Sequence, residues 1–122
     1  MQRSTRQRRA IQEVLETSGR PLSPKEIVEL AASQGMPLSL TTVYRSVKGL
    51  LEQGELTSVE VPGQPARYEA PGLAHHHHFH CEGCDRVFDI PGCPKGIHQL
   101  APKGFVSTHH ELTLHGRCPA CA

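Results

Sequence analysis

All five cysteines and all nine histidines of this 122-residue chain fall between positions 75 and 121, and the residues before them contain neither type. Ligand-type side chains confined to one half of a chain predict a metal-organised module beside a module that folds without metal. A hydrophobic fraction of 37%, an aromatic fraction of 4% and the lack of Trp leave little apolar volume for a core. We therefore expect metal to stabilise the C-terminal half.

Two C-x-x-C pairs carry the clearest chemistry: Cys81 with Cys84, and Cys118 with Cys121. Four thiolates close a tetrahedral zinc site, and each C-x-x-C bend lets both sulfurs reach one ion, so we predict a structural Zn²⁺. A redox dithiol or free structural thiols are the alternatives. No stretch resembles a signal peptide or a membrane span, so we expect a cytoplasmic protein with no membrane partner. In that reducing compartment, paired cysteines hold metal more often than they form disulfides.

A run of histidines precedes the first cysteine pair, with the sequence HHHHFH at positions 75–80. In an extended strand, His75 and His77 point to one face and His76 and His78 to the other, so one strand could serve two sites. Cys93 is the unpaired thiol. It lies between Gly92 and Pro94 in this imidazole-rich half, which favours a ligand role over that of an inert small hydrophobe.

The N-terminal half shows three amphipathic segments that end at Gly19, Gly35 and Gly54. The β-branched stretch at 56–61, a Pro-Gly turn and residues 66–69 then predict two strands of a hairpin. Three helices followed by a hairpin is the order of a winged helix-turn-helix; a plain small α domain is the alternative.

In a winged helix, the N-terminal residues of the third helix enter the major groove of DNA. Here those residues are Ser39, Thr41, Thr42, Tyr44 and Arg45, whose side chains suit base and phosphate contacts. Tyr44 could instead pack internally. Four arginines within residues 1–9 could neutralise phosphates or form a solvated tail. With 13 basic and 12 acidic residues the formal charge is only +1, so any DNA-binding surface must be local.

Further strands are predicted at 86–90, 105–106 and 112–114, with a short helical stretch at 95–100. The C-terminal half is therefore expected to mix helix and sheet.

Three stretches together resemble the ferric uptake regulator family of metal-sensing bacterial repressors. They are Thr41-Thr42-Val43-Tyr44-Arg45, the segment 75–84 and the segment 110–121. The resemblance implies an α+β chain with a winged helix-turn-helix at 1–69, a hinge at 70–74 and a zinc-stapled α/β dimerisation domain at 75–122. It also implies that the four paired cysteines form a structural zinc site supporting a homodimer, and that Arg8, Tyr44 and Arg45 contact DNA.

The resemblance implies two more metal sites. His75, His77 and His110 match ligands of a second site, which the family completes with a Glu; aligned back from Cys118, that position is Cys93. Three imidazoles and a thiolate suit Zn²⁺ better than Mn²⁺ or Mg²⁺.

A hinge regulatory site is implied on the other strand face, where Glu69, His76, His78 and Asp89 match ligands. The family often adds a His before the second helix, where this chain has Pro21. That substitution argues against a high-affinity iron or peroxide-sensing site, although peroxide sensors use an Asp at the position of Asp89.

The function implied is a homodimeric repressor that binds double-stranded operator DNA, responds to zinc and controls metal-homeostasis genes. Fe²⁺, Mn²⁺ or peroxide are alternative signals within the family. A small zinc hydrolase and a zinc scaffold protein are alternatives of another class. The sequence contains no H-E-x-x-H motif and no H-x-E paired with P-C-x-x-C, so a positioned general base is lacking. We therefore expect neither enzymatic activity nor a small-molecule substrate.

Overall fold

The computed structural model describes residues 3–122, which form two compact units, one ending at Gly72 and the other beginning at Leu73. The first unit contains α1 (Arg3–Ser18), α2 (Pro24–Ser33), α3 (Leu40–Glu52), β1 (Thr57–Val59) and β2 (Arg67–Glu69). The second contains β3 (His76–Cys81), β4 (Val87–Pro91), a 3-10 helix (Ile97–Leu100) and β5 (Thr113–Gly116). The predicted α+β class and the winged-helix order are confirmed.

Serine caps start α2 and α3. The Ser23 hydroxyl accepts a hydrogen bond from the Glu26 amide, and the Glu26 carboxylate accepts one from the Ser23 amide, which is a complete capping box. At α3, the Ser39 hydroxyl accepts from the Thr42 amide at 3.1 Å. Within residues 3–122, no helix is both long enough and apolar enough to cross a bilayer.

One continuous apolar core holds the first unit together. It is built from the inward faces of the helices and the residues that adjoin them: Ile11, Val14, Leu15, Leu22, Ile27, Ala31, Leu38, Val43, Val47, Leu50 and Leu56. Burying an aliphatic side chain of this kind contributes about 1.5–3 kcal/mol. We therefore expect the first unit to be stable without metal.

The wing is a short antiparallel hairpin in which β1 pairs with β2. Leu22 extends it, because its amide and carbonyl exchange hydrogen bonds of 2.9 and 2.8 Å with Tyr68. This bridge ties the wing to the segment before α2. The sequence contained no signal for it.

The sheet of the second unit has the order β4-β3-β5, with β3 in the centre. β4 runs antiparallel to β3 and places Asp89 opposite His78. β5 runs parallel to β3 and places His115 opposite His80. The histidine run therefore lies on a strand with neighbours on both sides.

Two predictions for the second unit need correction. The strand expected at 105–106 is wrong: the Phe105 amide donates to the Pro102 carbonyl at 2.9 Å, closing a turn through Gly104 at φ 86°. Phe105 and Val106 are exposed, and no strand within residues 3–122 pairs with them. The helical stretch is a single 3-10 turn that begins only after Gly96, a residue in the left-handed conformation.

Candidate metal centres

The four paired cysteines converge at one end of the sheet. Their sulfur atoms lie within 4.8 Å of one another, and the Cys84 and Cys118 sulfurs are 3.8 Å apart. Cys81 ends β3, and the turn after it brings Cys84 back beside it. At Gly83 a side chain would collide with Cys121, so this turn has no room for a β-carbon. All the cysteines are reduced.

Backbone amides prepare this cluster for negative charge. The amides of Cys84 and Cys118 donate to the Cys81 sulfur at 3.4 and 3.3 Å and lower the pKa of Cys81 to about 6. The neighbouring Cys81 and Cys118 sulfurs, together with burial, raise the pKa of Cys121 to about 12. A divalent cation among the sulfurs would offset the charge of further thiolates. Four sulfur donors at this spacing fit Zn²⁺.

A second cluster converges on the Nε2 atom of His110. The Nε2 atoms of His75 and His77 each lie 3.1 Å from it, and the Cys93 sulfur lies 3.0 Å from it. Burial lowers the pKa of His77 and of His110, and the nearby His75 lowers both further. The two imidazoles are therefore held in the neutral form that binds metal.

Hydrogen bonding alone does not explain this convergence. An imidazole nitrogen offers either one hydrogen or one lone pair, so the His110 Nε2 cannot satisfy three close neighbours at once. A cation at the common centre accepts a lone pair from each of them. Three nitrogens and one sulfur form a donor set that fits Zn²⁺.

A third cluster lies on the opposite face of β3. The Nε2 atoms of His76 and His78 each lie 3.4 Å from Oδ1 of Asp89. The His76 Nδ1 donates to the Ala74 carbonyl at 2.7 Å, which leaves the lone pair on Nε2 directed at Asp89. The alternation expected for an extended strand is thus observed, with His77 on one face and His76 and His78 on the other.

Glu69 ends β2 in the first unit and is 6% exposed. Its assignment as a ligand together with His76, His78 and Asp89 stays a prediction. Pro21, at the position where the resemblance expects a histidine, is fully buried and offers no donor atom.

The residues predicted to contact DNA lie at the start of α3. Thr41, Tyr44 and Arg45 are exposed and Thr42 is half-buried. Tyr44 is 54% exposed, so its side chain does not belong to the core. The Ser39 hydroxyl caps the helix by accepting from the Thr42 amide.

Arg8 differs from the other N-terminal arginines. Its guanidinium packs against α3 at Gly49, where any β-carbon would collide with it. Arg6 and Arg9 are exposed on α1. A DNA contact by Arg8 stays a prediction.

Sequence reasoning left four histidines unassigned: His80, His98, His109 and His115. The His98 ring lies 5.3 Å from the His110 ring, at the edge of the second cluster. His80 and His115 face each other across β3 and β5. The alternation of β3 indicates the face of His80, but no sequence signal identifies its partner on a parallel strand.

Comparison with known proteins agrees with the motifs. A model of the ferric uptake regulator family matches residues 2–115. The ferric uptake regulation protein of Synechococcus elongatus is 30% identical, over 98% of this chain and 85% of that protein. The zinc uptake regulation protein of Mycobacterium tuberculosis is 28% identical, over 98% and 94%. The peroxide operon regulator of Bacillus subtilis is 29% identical, over 98% and 84%.

Comparison of the fold with solved structures gives the same family of proteins. The crystal structure of the Vibrio cholerae ferric uptake regulator superposes with a TM-score of 0.74 at 29% identity, over 92% of this chain and 88% of that one. Members of this family are metal-binding transcription regulators rather than enzymes, and they act as dimeric DNA-binding proteins. The family match over residues 2–115, joined to the winged helix and the clustered ligands, shows that this chain belongs to the ferric uptake regulator family.

Proposed function

We propose that this chain is a cytoplasmic, zinc-responsive repressor that binds operator DNA as a homodimer and controls metal-homeostasis genes. The observation that carries the choice of zinc is the convergence of Cys93 on His110 with His75 and His77. A thiolate in this set favours Zn²⁺ over Mn²⁺ and Mg²⁺, which prefer oxygen ligands.

The exposed N-terminus of α3 supports the DNA-binding role. Thr41, Thr42, Tyr44 and Arg45 are the proposed contacts to bases and phosphates, and Ser39 and Arg8 are the further proposed contacts. We propose residues 1–69 as the DNA-binding domain, 70–74 as the hinge and 75–122 as the dimerisation domain. Exposed apolar side chains in that last segment, Leu100, Phe105 and Val106, support burial against a second copy.

The four paired cysteines are the proposed structural Zn²⁺ site, whose role is to fold the dimerisation domain. We propose His76, His78 and Asp89, with Glu69 from the wing, as the regulatory set. A metal held by ligands from both domains would favour one arrangement of the recognition helices. A bias of about 1–3 kcal/mol changes DNA affinity by about 5- to 150-fold, which a few ligand bonds can supply.

The test starts with in vitro selection from random DNA duplexes, using the zinc-loaded protein. We expect a pseudo-palindromic site, because a two-fold symmetric dimer presents two recognition helices. Fluorescence anisotropy at buffered free Zn²⁺ then measures affinity for that duplex. Zinc should lower the Kd for that duplex by about 5- to 150-fold. Mn²⁺ at equal free concentration should lower it less.

Variants separate the two candidate switches. His76→Gln or Asp89→Asn should weaken the zinc effect and leave the dimer intact, whereas a response lost only in His110→Gln would make the second cluster the switch. His109→Gln is the matched control, because this exposed histidine contacts only Thr108 among the hydrogen bonds described. Equal DNA affinity with and without every metal would overturn the proposed function.

Iron, manganese or peroxide sensing is the competing proposal, and Asp89 is the observation that favours it. The His76, His78 and Asp89 set contains nitrogen and oxygen donors without sulfur. The same anisotropy experiment with Fe²⁺, followed by hydrogen peroxide, distinguishes the signals. Release from DNA after peroxide, together with indifference to zinc, would select this alternative.

A further inference from the structure

Outside the three clusters already described, one more set of ligand-type side chains meets in the second unit. His80 on β3 lies 3.2 Å, Nδ1 to Nδ1, from His115 on β5. On its other side, the His80 Nε2 lies 2.6 Å from Oδ1 of Asp85. His80 is buried, with 6% of its surface exposed, whereas His115 faces solvent.

The bond to Asp85 determines which nitrogen of His80 carries the proton. A carboxylate oxygen only accepts hydrogen bonds, so the His80 Nε2 is the donor. The neutral ring therefore directs the lone pair of Nδ1 at His115. A carboxylate bonded to the far nitrogen of an imidazole is the arrangement that orients histidine ligands at metal sites.

The separation of the two Nδ1 atoms also matches a shared ion. With metal-nitrogen bonds of about 2.0–2.1 Å, a separation of 3.2 Å corresponds to an angle of about 100–106° at the metal. That angle is close to the tetrahedral value that Zn²⁺ adopts. The exposed side of His115 leaves the remaining positions open to water or to a small ligand.

We propose that His80 and His115 bind a divalent ion of the zinc type through their Nδ1 atoms, with Asp85 holding His80 in the binding tautomer. When the ion binds, the proton on the His115 Nδ1 is replaced and the exposed Nε2 carries the hydrogen instead. Two protein ligands make this a weaker site than the clusters with four, so it fills after them. The proposal does not rest on the function proposed above.

The competing explanation is a plain hydrogen bond in which the His115 Nδ1 donates to the His80 Nδ1. The hydrogen bond and the metal site differ in their response to metal, so the test is a Zn²⁺ titration of the full chain. The variant His110→Gln with Asp89→Asn serves as background, because it weakens both other histidine clusters and keeps the four cysteines. Histidine nitrogen NMR then follows each ring separately.

In this background, zinc added beyond the cysteine-bound equivalent, and beyond what the remaining ligands of the two weakened clusters take up, should shift the Nδ1 signals of His80 and His115 together. Adding His115→Gln should remove one bound zinc per chain; because His115 is exposed, this change leaves the fold intact. Asp85→Asn should weaken zinc binding by about 10- to 100-fold, the usual effect of losing such a supporting group. Asn tolerates the left-handed backbone of Asp85, where φ is 64°, so strain does not confound the result.

His109→Gln is the matched control, since it removes an exposed imidazole outside the pair, and it should leave the zinc count unchanged. Two results would overturn the proposal. One is a pair of Nδ1 signals that stays unchanged at millimolar Zn²⁺. The other is a zinc count that is the same with and without His115→Gln.

Discussion

Cys93 places a sulfur atom 3.0 Å from the His110 Nε2, in a cluster otherwise made of imidazoles. A carboxylate in place of this sulfur would make the donor set prefer harder ions such as Mn²⁺. We predict that Cys93→Glu lowers the affinity of this cluster for Zn²⁺ by at least about tenfold, or about 1.4 kcal/mol, and raises its affinity for Mn²⁺. Competition titrations with a chromophoric chelator measure both changes.

Cys93→Ala is the matched variant, since it removes the ligand without replacing it and should weaken both metals. Unchanged zinc affinity in Cys93→Glu and Cys93→Ala alike would contradict a ligand role for the thiol. The residue is exposed and lies in a loop, so neither change disturbs a core.

Single residues were predictable where neighbouring positions carry the signal. The C-x-x-C spacing and the alternation of His75 to His78 depend only on local geometry. The Asp85 and His115 partners of His80 depend on a turn conformation and on a parallel strand pairing. The sequence signals neither of these features, so sequence analysis did not predict that His80, Asp85 and His115 meet.

The start of α3 is stabilised by its cap. Because the Ser39 hydroxyl accepts from the Thr42 amide, Ser39→Ala should lower the free energy of unfolding by about 1 kcal/mol. Ser39→Asp keeps a capping oxygen and should keep stability, but its charge should repel phosphate and weaken DNA binding. Urea denaturation and anisotropy measure the two effects separately.

Ser39→Asn is the control, because it caps without charge and should change neither quantity much. If Ser39→Asp bound DNA as tightly as Ser39→Asn, the start of α3 would not face phosphate.

We expect the sheet of the second unit to depend on metal more than on apolar packing. Its buried apolar residues are Cys81, Val87 and Cys118 within the described chain. Zinc bound to four cysteines contributes about 10–16 kcal/mol in small domains, comparable to the whole stability of a typical fold. We predict that Cys81→Ser, or removal of this zinc, abolishes hydrogen-exchange protection in β3, β4 and β5 but not in α1, α2 and α3.

Hydrogen exchange with mass spectrometry resolves the two units in one experiment. Cys93→Ser is the control, because it removes a thiol outside this site and should keep protection in the sheet. A protected sheet in zinc-free Cys81→Ser protein would contradict the structural role of the four cysteines.

The secondary-structure elements differ in whether the signals that predict them are local in the sequence. The apolar periodicity and the glycines that follow each segment identify α1 to α3, because those signals lie within the helix or next to it. The error at Phe105 and Val106 has the opposite cause: β propensity reports fit to a neighbouring strand, and in the described part of the chain no strand pairs with this segment. The bridge between Leu22 and Tyr68 joins residues that are far apart in the sequence, so the sequence did not predict it either.

For the whole molecule, a formal charge of +1 means that any attraction to DNA must come from a few local cations. Arg45 is exposed near the start of α3. We predict that Arg45→Ala makes the negative slope of log affinity against log salt shallower by about one. Anisotropy titrations at several salt concentrations give this slope.

Lys103→Ala removes one positive charge from a turn in the second unit and is the matched control. If both variants changed the slope equally, the effect would report net charge and the proposed contact would be wrong.

The overall organisation was predictable because two independent patterns agree. Ligand-type residues occupy one half of the chain and an apolar periodicity occupies the other. The family resemblance then identified the class of protein. The identity of the regulatory metal was not predictable to the same degree, since it depends on small energy differences between donor sets.

The four consecutive histidines have a consequence for how β3 finds its alignment. Shifting this strand by one residue would exchange its two faces, yet three of the four histidine positions would still hold an imidazole, because positions 75–78 are identical. The histidines alone therefore give only weak discrimination, a single ligand, between the correct alignment and its neighbour. The remaining discrimination falls to the residues after the run: Phe79, which meets Gly116, and Cys81, whose sulfur accepts the Cys118 amide. The cysteine cluster thus helps to fix the strand alignment on which the histidine sites depend.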